Sequence, residues 1–316
     1  MATRADDTTH EQGHLGFVFV ASCVLSSAFV VFGFVFPERL NRALTAVREV
    51  VVGTVGPAYP VVVTVVLVVV LVLWLSPFGR LRLGGPDSKP EFGMLSWISM
   101  LLSAGVGLSF FFWGMAEPLI HLADPPYGST EAGSAEAARA AMRYSFLFWG
   151  PHAWAIYAVV AIAIGYASYT HHRPMLVSQA LRPLLGRHSD GLIGNIVDTL
   201  SVIAILFGVA TSLGLGTGEL NAGLAEVFGV PDSYTTNIII VASLMTVSTI
   251  SAMTGLGRGI RWLSLANIAI CAALLCYILI AGPTTAILAT MSTGLADFGR
   301  ELVPMSLATE ESADNP

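Results

Sequence analysis

Ser103-Ala-Gly-Val-Gly-Leu-Ser-Phe-Phe-Phe-Trp-Gly-Met-Ala-Glu-Pro-Leu119 lies inside a hydrophobic stretch long enough to cross a bilayer. Gly105, Gly107 and Ser109 form a small-residue track in its middle, and Glu117-Pro118 closes its far end. Glycines weaken a helix. A broken span exposes backbone groups that hydrocarbon cannot satisfy, so it is tolerated only where protein or a cavity surrounds it. Interrupted spans of this kind build substrate and ion sites in secondary transporters. Close packing against a neighbouring helix through small residues uses the same composition, and spacing alone leaves both readings open.

The rest of the chain fixes the class around this stretch. Of 316 residues, 54% are hydrophobic and only 11% charged, with a mean hydropathy of +0.73. That composition belongs to a polytopic all-α membrane protein. About seven spans are predicted: Gly16–Phe36, Ala58–Ser76, Leu95–Leu119, Tyr144–Tyr166, Ile193–Gly216, Asn237–Met253 and Trp262–Ala281. The second is nearly pure valine and leucine and reads as lipid-facing, with no site on it. Span 1 reads as a retained helix, because one arginine among acids and no small-residue cleavage site make a poor signal peptide.

Lysines and arginines set the orientation. With the N-terminus inside, inner segments carry nine (Arg4, Arg80, Arg82, Lys89, Arg173, Arg182, Arg187, Arg258, Arg261) and outer segments six. The expected location is therefore the cytoplasmic (inner) membrane, multi-pass, with the N-terminus inside. The net charge of −6 sits mostly in the tails, and no basic patch for nucleic acid is evident. Cys23, Cys271 and Cys276 have neither disulfide nor zinc spacing.

A second signal is Phe148-Trp-Gly-Pro-His-Ala-Trp-Ala-Ile-Tyr157. Trp154 and Tyr157 are three apart and share a helix face. Gly150-Pro151 interrupts the helix and turns Trp149 toward the same side. Three aromatic faces around one point make a cage for a quaternary ammonium, each contributing roughly 0.5–2 kcal/mol. An aromatic belt at the membrane interface would use the same residues. His152 reads equally as a proton relay or a packing histidine. Glu117, Asp198 and Glu219 lie in or at the edges of spans, where an acid is a functional candidate, a cap or an ion-pair partner; an exposed edge is expected for Glu219. His171-His172 reads as polar loop, and Thr254-Gly-Leu-Gly-Arg-Gly259 as a tight inner turn. Thr284–Met305 is too polar for an eighth span and reads as a surface helix.

Other classes fall away. No His-Glu-x-x-His, Gly-x-Ser-x-Gly or phosphate-cradling loop is present, so no enzyme is expected. A retinal protein needs an intramembrane lysine, and the single lysine, Lys89, lies in a loop.

Taken together, Phe92–Leu119, Phe148–Tyr157, Phe207–Leu224, Thr254–Leu265 and Gly282-Pro283-Thr284 resemble the betaine/choline/carnitine transporter family. The resemblance implies a LeuT-like inverted repeat of two five-helix halves preceded by two extra helices, of which this chain carries the N-terminal portion. Residues 1–14 would be a cytoplasmic tail and 15–90 two peripheral helices. Residues 91–282 would be the first five-helix repeat, and 283–316 an amphipathic surface helix with a disordered tail. By the same resemblance, Trp149, Trp154 and Tyr157 match an aromatic box for the trimethylammonium of the substrate, bordered by Phe112. Gly105, Gly107 and Ser109 match the broken helix that contacts substrate. Freed backbone at Ala104 and Val106 would help hold sodium in sodium-coupled members. Ser109 replaces the family's third glycine, which leaves betaine, choline or carnitine open. Ile205 and Val209 stand where sodium-coupled members place hydroxyls, so one sodium site is expected to be absent, with Na+ or H+ as coupling ion and no other cofactor. Expected partners are a quaternary-ammonium solute, the lipid bilayer, and a missing C-terminal half or homologous subunit, including a homo-oligomer. The alternative expectation is a truncated, transport-inactive remnant or interaction partner of an intact homologue.

Overall fold

The computed structural model describes residues 16–105, 109–126 and 130–307. Helices follow one another along the chain: α1 (Phe17–Val35), α2 (Pro37–Val55), α3 (Tyr59–Leu75), α4 (Met94–Gly105), α5 (Ser109–Ala123), α6 (Ala135–Trp149) and α7 (Pro151–Gly165). Short turns α8 (Val177–Ala180) and α9 (Arg182–Leu185) lead into the long α10 (Leu192–Phe228), then α11 (Tyr234–Met253), α12 (Arg261–Ala281) and α13 (Thr284–Leu307). Among the described residues, six segments are long and apolar enough to cross a membrane: Phe17–Val35, Pro37–Leu75, Ala135–Thr170, Leu192–Phe228, Tyr234–Met253 and Leu256–Ala281. The remaining predicted span, Leu95–Leu119, falls on α4 and α5, which flank residues 106–108 outside the described set.

Chain breaks sit where the residues dictate them. Gly150-Pro151 separates α6 from α7, and a side chain at Gly150 would strike the Phe146 carbonyl. Ser134 caps α6 by accepting from the Ala137 N–H at 3.0 Å, and Ser233 caps α11 by accepting from Thr236 N–H at 3.2 Å. The Thr254–Gly259 turn is opened by Gly255 at φ +78°, a left-handed conformation suited to glycine.

The chain folds as two compact units, Met1–Val50 with Ala163–Phe207, and Val51–Ile162 with Gly208–Pro316. In the first, Phe29 packs on Phe207 with ring centroids 4.6 Å apart. Buried Asp198 accepts from the Ser178 N–H at 3.0 Å and hydroxyl at 2.7 Å, so this intramembrane acid holds the α8 turn against α10. Asp190 takes Arg182 at 2.7 Å and the Gln179 amide at 3.0 Å.

In the second unit, α4 lies on α12 through serines one helix face apart. Arg261 Nε donates to Ser96 at 3.0 Å, Asn267 to Ser103 at 3.3 Å, and Ser99 is fully buried. Small polar residues let membrane helices approach closely, since apolar burial gives no drive in lipid. Helix α13 packs against α6, where Ala137, Ala140 and Ala141 are buried and Gly294 faces Phe146 and Met142. His152 is buried and its Nε2 lies 2.9 Å from the Ser306 hydroxyl, while Thr64 on α3 donates to the Ser306 carbonyl at 3.2 Å. Large aliphatic side chains point outward instead, as with Val30, Val72 and Ile270. Buried polar groups under an apolar exterior suit a hydrocarbon surround.

Candidate substrate site

The end of α6, the start of α7, the end of α4 and the middle of α5 enclose a recess of about 210 Å³ lined by Gly105, Glu117, Phe148, Trp149, Trp154 and Tyr157. The Trp149 carbonyl stands at the C-terminal end of α6. The Trp154 indole N–H donates to it at 3.0 Å. This bond draws Trp154 back over the break, beside Tyr157, with ring centroids 5.8 Å apart and planes at 40°. Gly105 lies directly beneath the Trp154 ring, and a Cβ there would stand 2.6 Å from Cη2 and Cζ3. Glycine at this position lets backbone approach the ring.

Trp149 is fixed at its other end by an indole N–H donated to Glu117. His121 Nε2 lies 3.6 Å from the other Glu117 oxygen, and the His121 ring sits near Tyr144 and Phe148 with centroids 5.9 and 5.8 Å away. Sequence reasoning marks Glu117 as an intramembrane acid but does not join it to the aromatic stretch. Its distance along the chain from Trp149 hides the connection. The recess therefore has aromatic walls and a carboxylate that accepts from the Trp149 indole. Aromatic faces beside a carboxylate attract a cation, and the faces do so without asking it for hydrogen bonds.

Of the residues expected at the site, Gly105, Trp149, Trp154 and Tyr157 come together. Phe112 is not in the lining; its ring meets Trp113 edge-on at 5.4 Å. Ala104 lies in the last turn of α4, one residue before Gly105. Val106, Gly107 and the Ser109 side chain lie outside the described residues. Ile205 and Val209 are exposed aliphatic positions on α10. Among the described residues no cluster of histidine, cysteine and carboxylate side chains has a metal-binding arrangement.

An all-helical, multi-pass membrane protein with an aromatic recess beside a glycine-rich helix end is built as a solute carrier is. The profile of the betaine/carnitine/choline family of transporters matches residues 17–316, and the chain belongs to that family. It is 38% identical over 294 residues to the glycine betaine transporter OpuD of Bacillus subtilis, covering 93% of this chain and 57% of that protein. It is 38% identical over 290 residues to the ectoine/hydroxyectoine transporter of Virgibacillus pantothenticus, covering 92% and 58%. The osmo-independent choline transporter BetT1 of Acinetobacter baylyi is 35% identical over 291 residues, covering 92% and 55%. The chain thus spans little more than half the length of these relatives.

Proposed function

We propose that this chain supplies the N-terminal half of the binding site in a secondary transporter of quaternary-ammonium compatible solutes of the glycine betaine, choline or carnitine type. The observation that carries the reading is the recess lined by Trp149, Trp154 and Tyr157, with Trp154 lying over the Gly105 backbone. Trp154 and Tyr157 present π faces to a trimethylammonium group, and Glu117 holds the Trp149 ring in place. Gly107 and Ser109 contact substrate in the completed transporter. The completing helices come from a C-terminal half or a homologous subunit, and alternating access moves one helix bundle against the rest. The protein sits in the cytoplasmic membrane with its N-terminus inside. Coupling uses Na+ held in part by Ala104 and Val106 backbone, or H+; aliphatic Ile205 and Val209 favour fewer sodium sites, because they offer no oxygen ligand.

The test is uptake into proteoliposomes by the completed transporter, with labelled glycine betaine, choline, carnitine, ectoine and proline under imposed Na+ or H+ gradients. Gradient-driven uptake of a trimethylammonium solute in preference to proline is expected. Uptake of proline alone, or no uptake under either gradient, would overturn the reading.

A further inference from the structure

A second recess, of about 540 Å³, lies within the first unit and is unconnected with the aromatic site's chemistry. One wall is apolar and comes from the last turns of the hydrophobic segment Ala135–Thr170, with Tyr166 and Ala167 facing the cavity. The rest of the lining is basic and carries His171, whose ring meets Tyr166 edge-on at 5.1 Å, with Arg173, Arg182 and Arg187. Chain geometry brings the two together. The helix loosens into a π-turn at Tyr166–Thr170, and His172 at φ +51° reverses the chain. The Arg173 N–H then returns to the Ala167 carbonyl at 3.3 Å. The wall is braced from behind, since Asp190 fixes both Arg182 and Gln179, and Asp198 fixes Ser178.

Asp190 is committed to Arg182. Among the described residues, neither Arg173 nor Arg187 has a carboxylate partner. Two uncompensated guanidiniums on one cavity repel each other, and an anion placed between them relieves that repulsion. Guanidinium groups match phosphate oxygens in geometry. The apolar wall narrows the choice of anion: a free phosphate gains nothing from it, whereas the glycerol-ester region of a phospholipid does. The cavity also lies at the end of a candidate membrane span, with Tyr166 in its lining, where headgroups are found.

We propose that this recess binds the phosphodiester headgroup of an anionic phospholipid, held by Arg173 and Arg187 with its ester region on Tyr166 and Ala167. Such a lipid would clamp the α8–α9 segment onto the end of the preceding span.

Native mass spectrometry of the detergent-purified protein tests this directly. The probes are phosphatidylglycerol and, separately, phosphatidylcholine with identical acyl chains, with inorganic phosphate as competitor. Preferential retention of phosphatidylglycerol is expected. At about a fivefold loss per arginine, R173Q/R187Q should weaken it roughly 30-fold, and R173K/R187K should retain most of it. Arg187 is exposed, so R187Q alone keeps the fold and should show about a fivefold loss. Equal retention of both lipids, or unchanged phosphatidylglycerol binding in R187Q, would overturn the proposal. Displacement by inorganic phosphate at matching concentration would overturn the lipid assignment in favour of a soluble anion.

Discussion

Gly105→Ala probes the closest approach in the aromatic recess. The added Cβ would stand 2.6 Å from two carbons of the Trp154 ring, whereas ordinary contact begins at 3.4 Å, so the ring must retreat by about 0.8 Å. Trp154 is not a free side chain that can yield. Its indole N–H is tied to the Trp149 carbonyl at 3.0 Å and its face is set against Tyr157. Overpacking of this kind costs about 1–3 kcal/mol. Displacing one cage wall removes about 0.5–2 kcal/mol of cation–π attraction, a loss of roughly two- to thirtyfold in affinity for a trimethylammonium solute. Gly105 is off the serine face that joins α4 to α12, so helix packing should survive. The assay is equilibrium binding of glycine betaine to the completed transporter in detergent, with acrylamide quenching of tryptophan fluorescence to follow the ring. Unchanged affinity together with unchanged quenching would show that Trp154 does not rest on this backbone, and the geometry of the cage would be wrong.

Asp198→Ala should lower the thermal stability of the detergent-solubilised protein. It leaves the Ser178 N–H and hydroxyl without their acceptor in a buried place, at about 1–3 kcal/mol for each group; an unchanged melting temperature would refute the brace. Gly294→Leu should pry α13 from α6, because even a Cβ would lie 3.1 Å from Phe146 and 3.2 Å from Met142. A cost of about 1–3 kcal/mol is expected, read as faster proteolysis of the α13 segment. Glu117→Gln keeps an acceptor for the Trp149 indole and should bind betaine within a few-fold of the parent. Glu117→Ala should release the ring and shift tryptophan emission. Identical emission in both variants would remove Glu117 from the site.

The class of fold was legible because hydrocarbon imposes a coarse and unforgiving pattern of long apolar runs joined by arginine-bearing loops. The break between α6 and α7 was equally plain, since Gly150-Pro151 leaves an α-helix few options. Composition placed Thr284–Met305 at the surface but could not reveal that α13 meets α6 through Gly294 and joins His152 through Ser306. Both contacts link residues far apart in sequence and depend on single small side chains. Of the choices open for His152, the packing contact is the one the structure displays, with Ser306 as partner. Asp198 and Glu117 were visible as acids in apolar surroundings. Their partners, Ser178 and Trp149, carry no sequence signal of the pairing. Glu219 is half-buried rather than exposed, with one carboxylate oxygen out of solvent.

The central claim is that Trp154 and Tyr157 recognise a permanent cation through their π faces. The most direct measurement is the affinity of the completed transporter for glycine betaine and for proline, before and after Trp154→Ala. The account predicts a loss of roughly two- to thirtyfold or more for betaine and a much smaller change for proline. An equal loss for both solutes would contradict it and leave Trp154 as a packing residue.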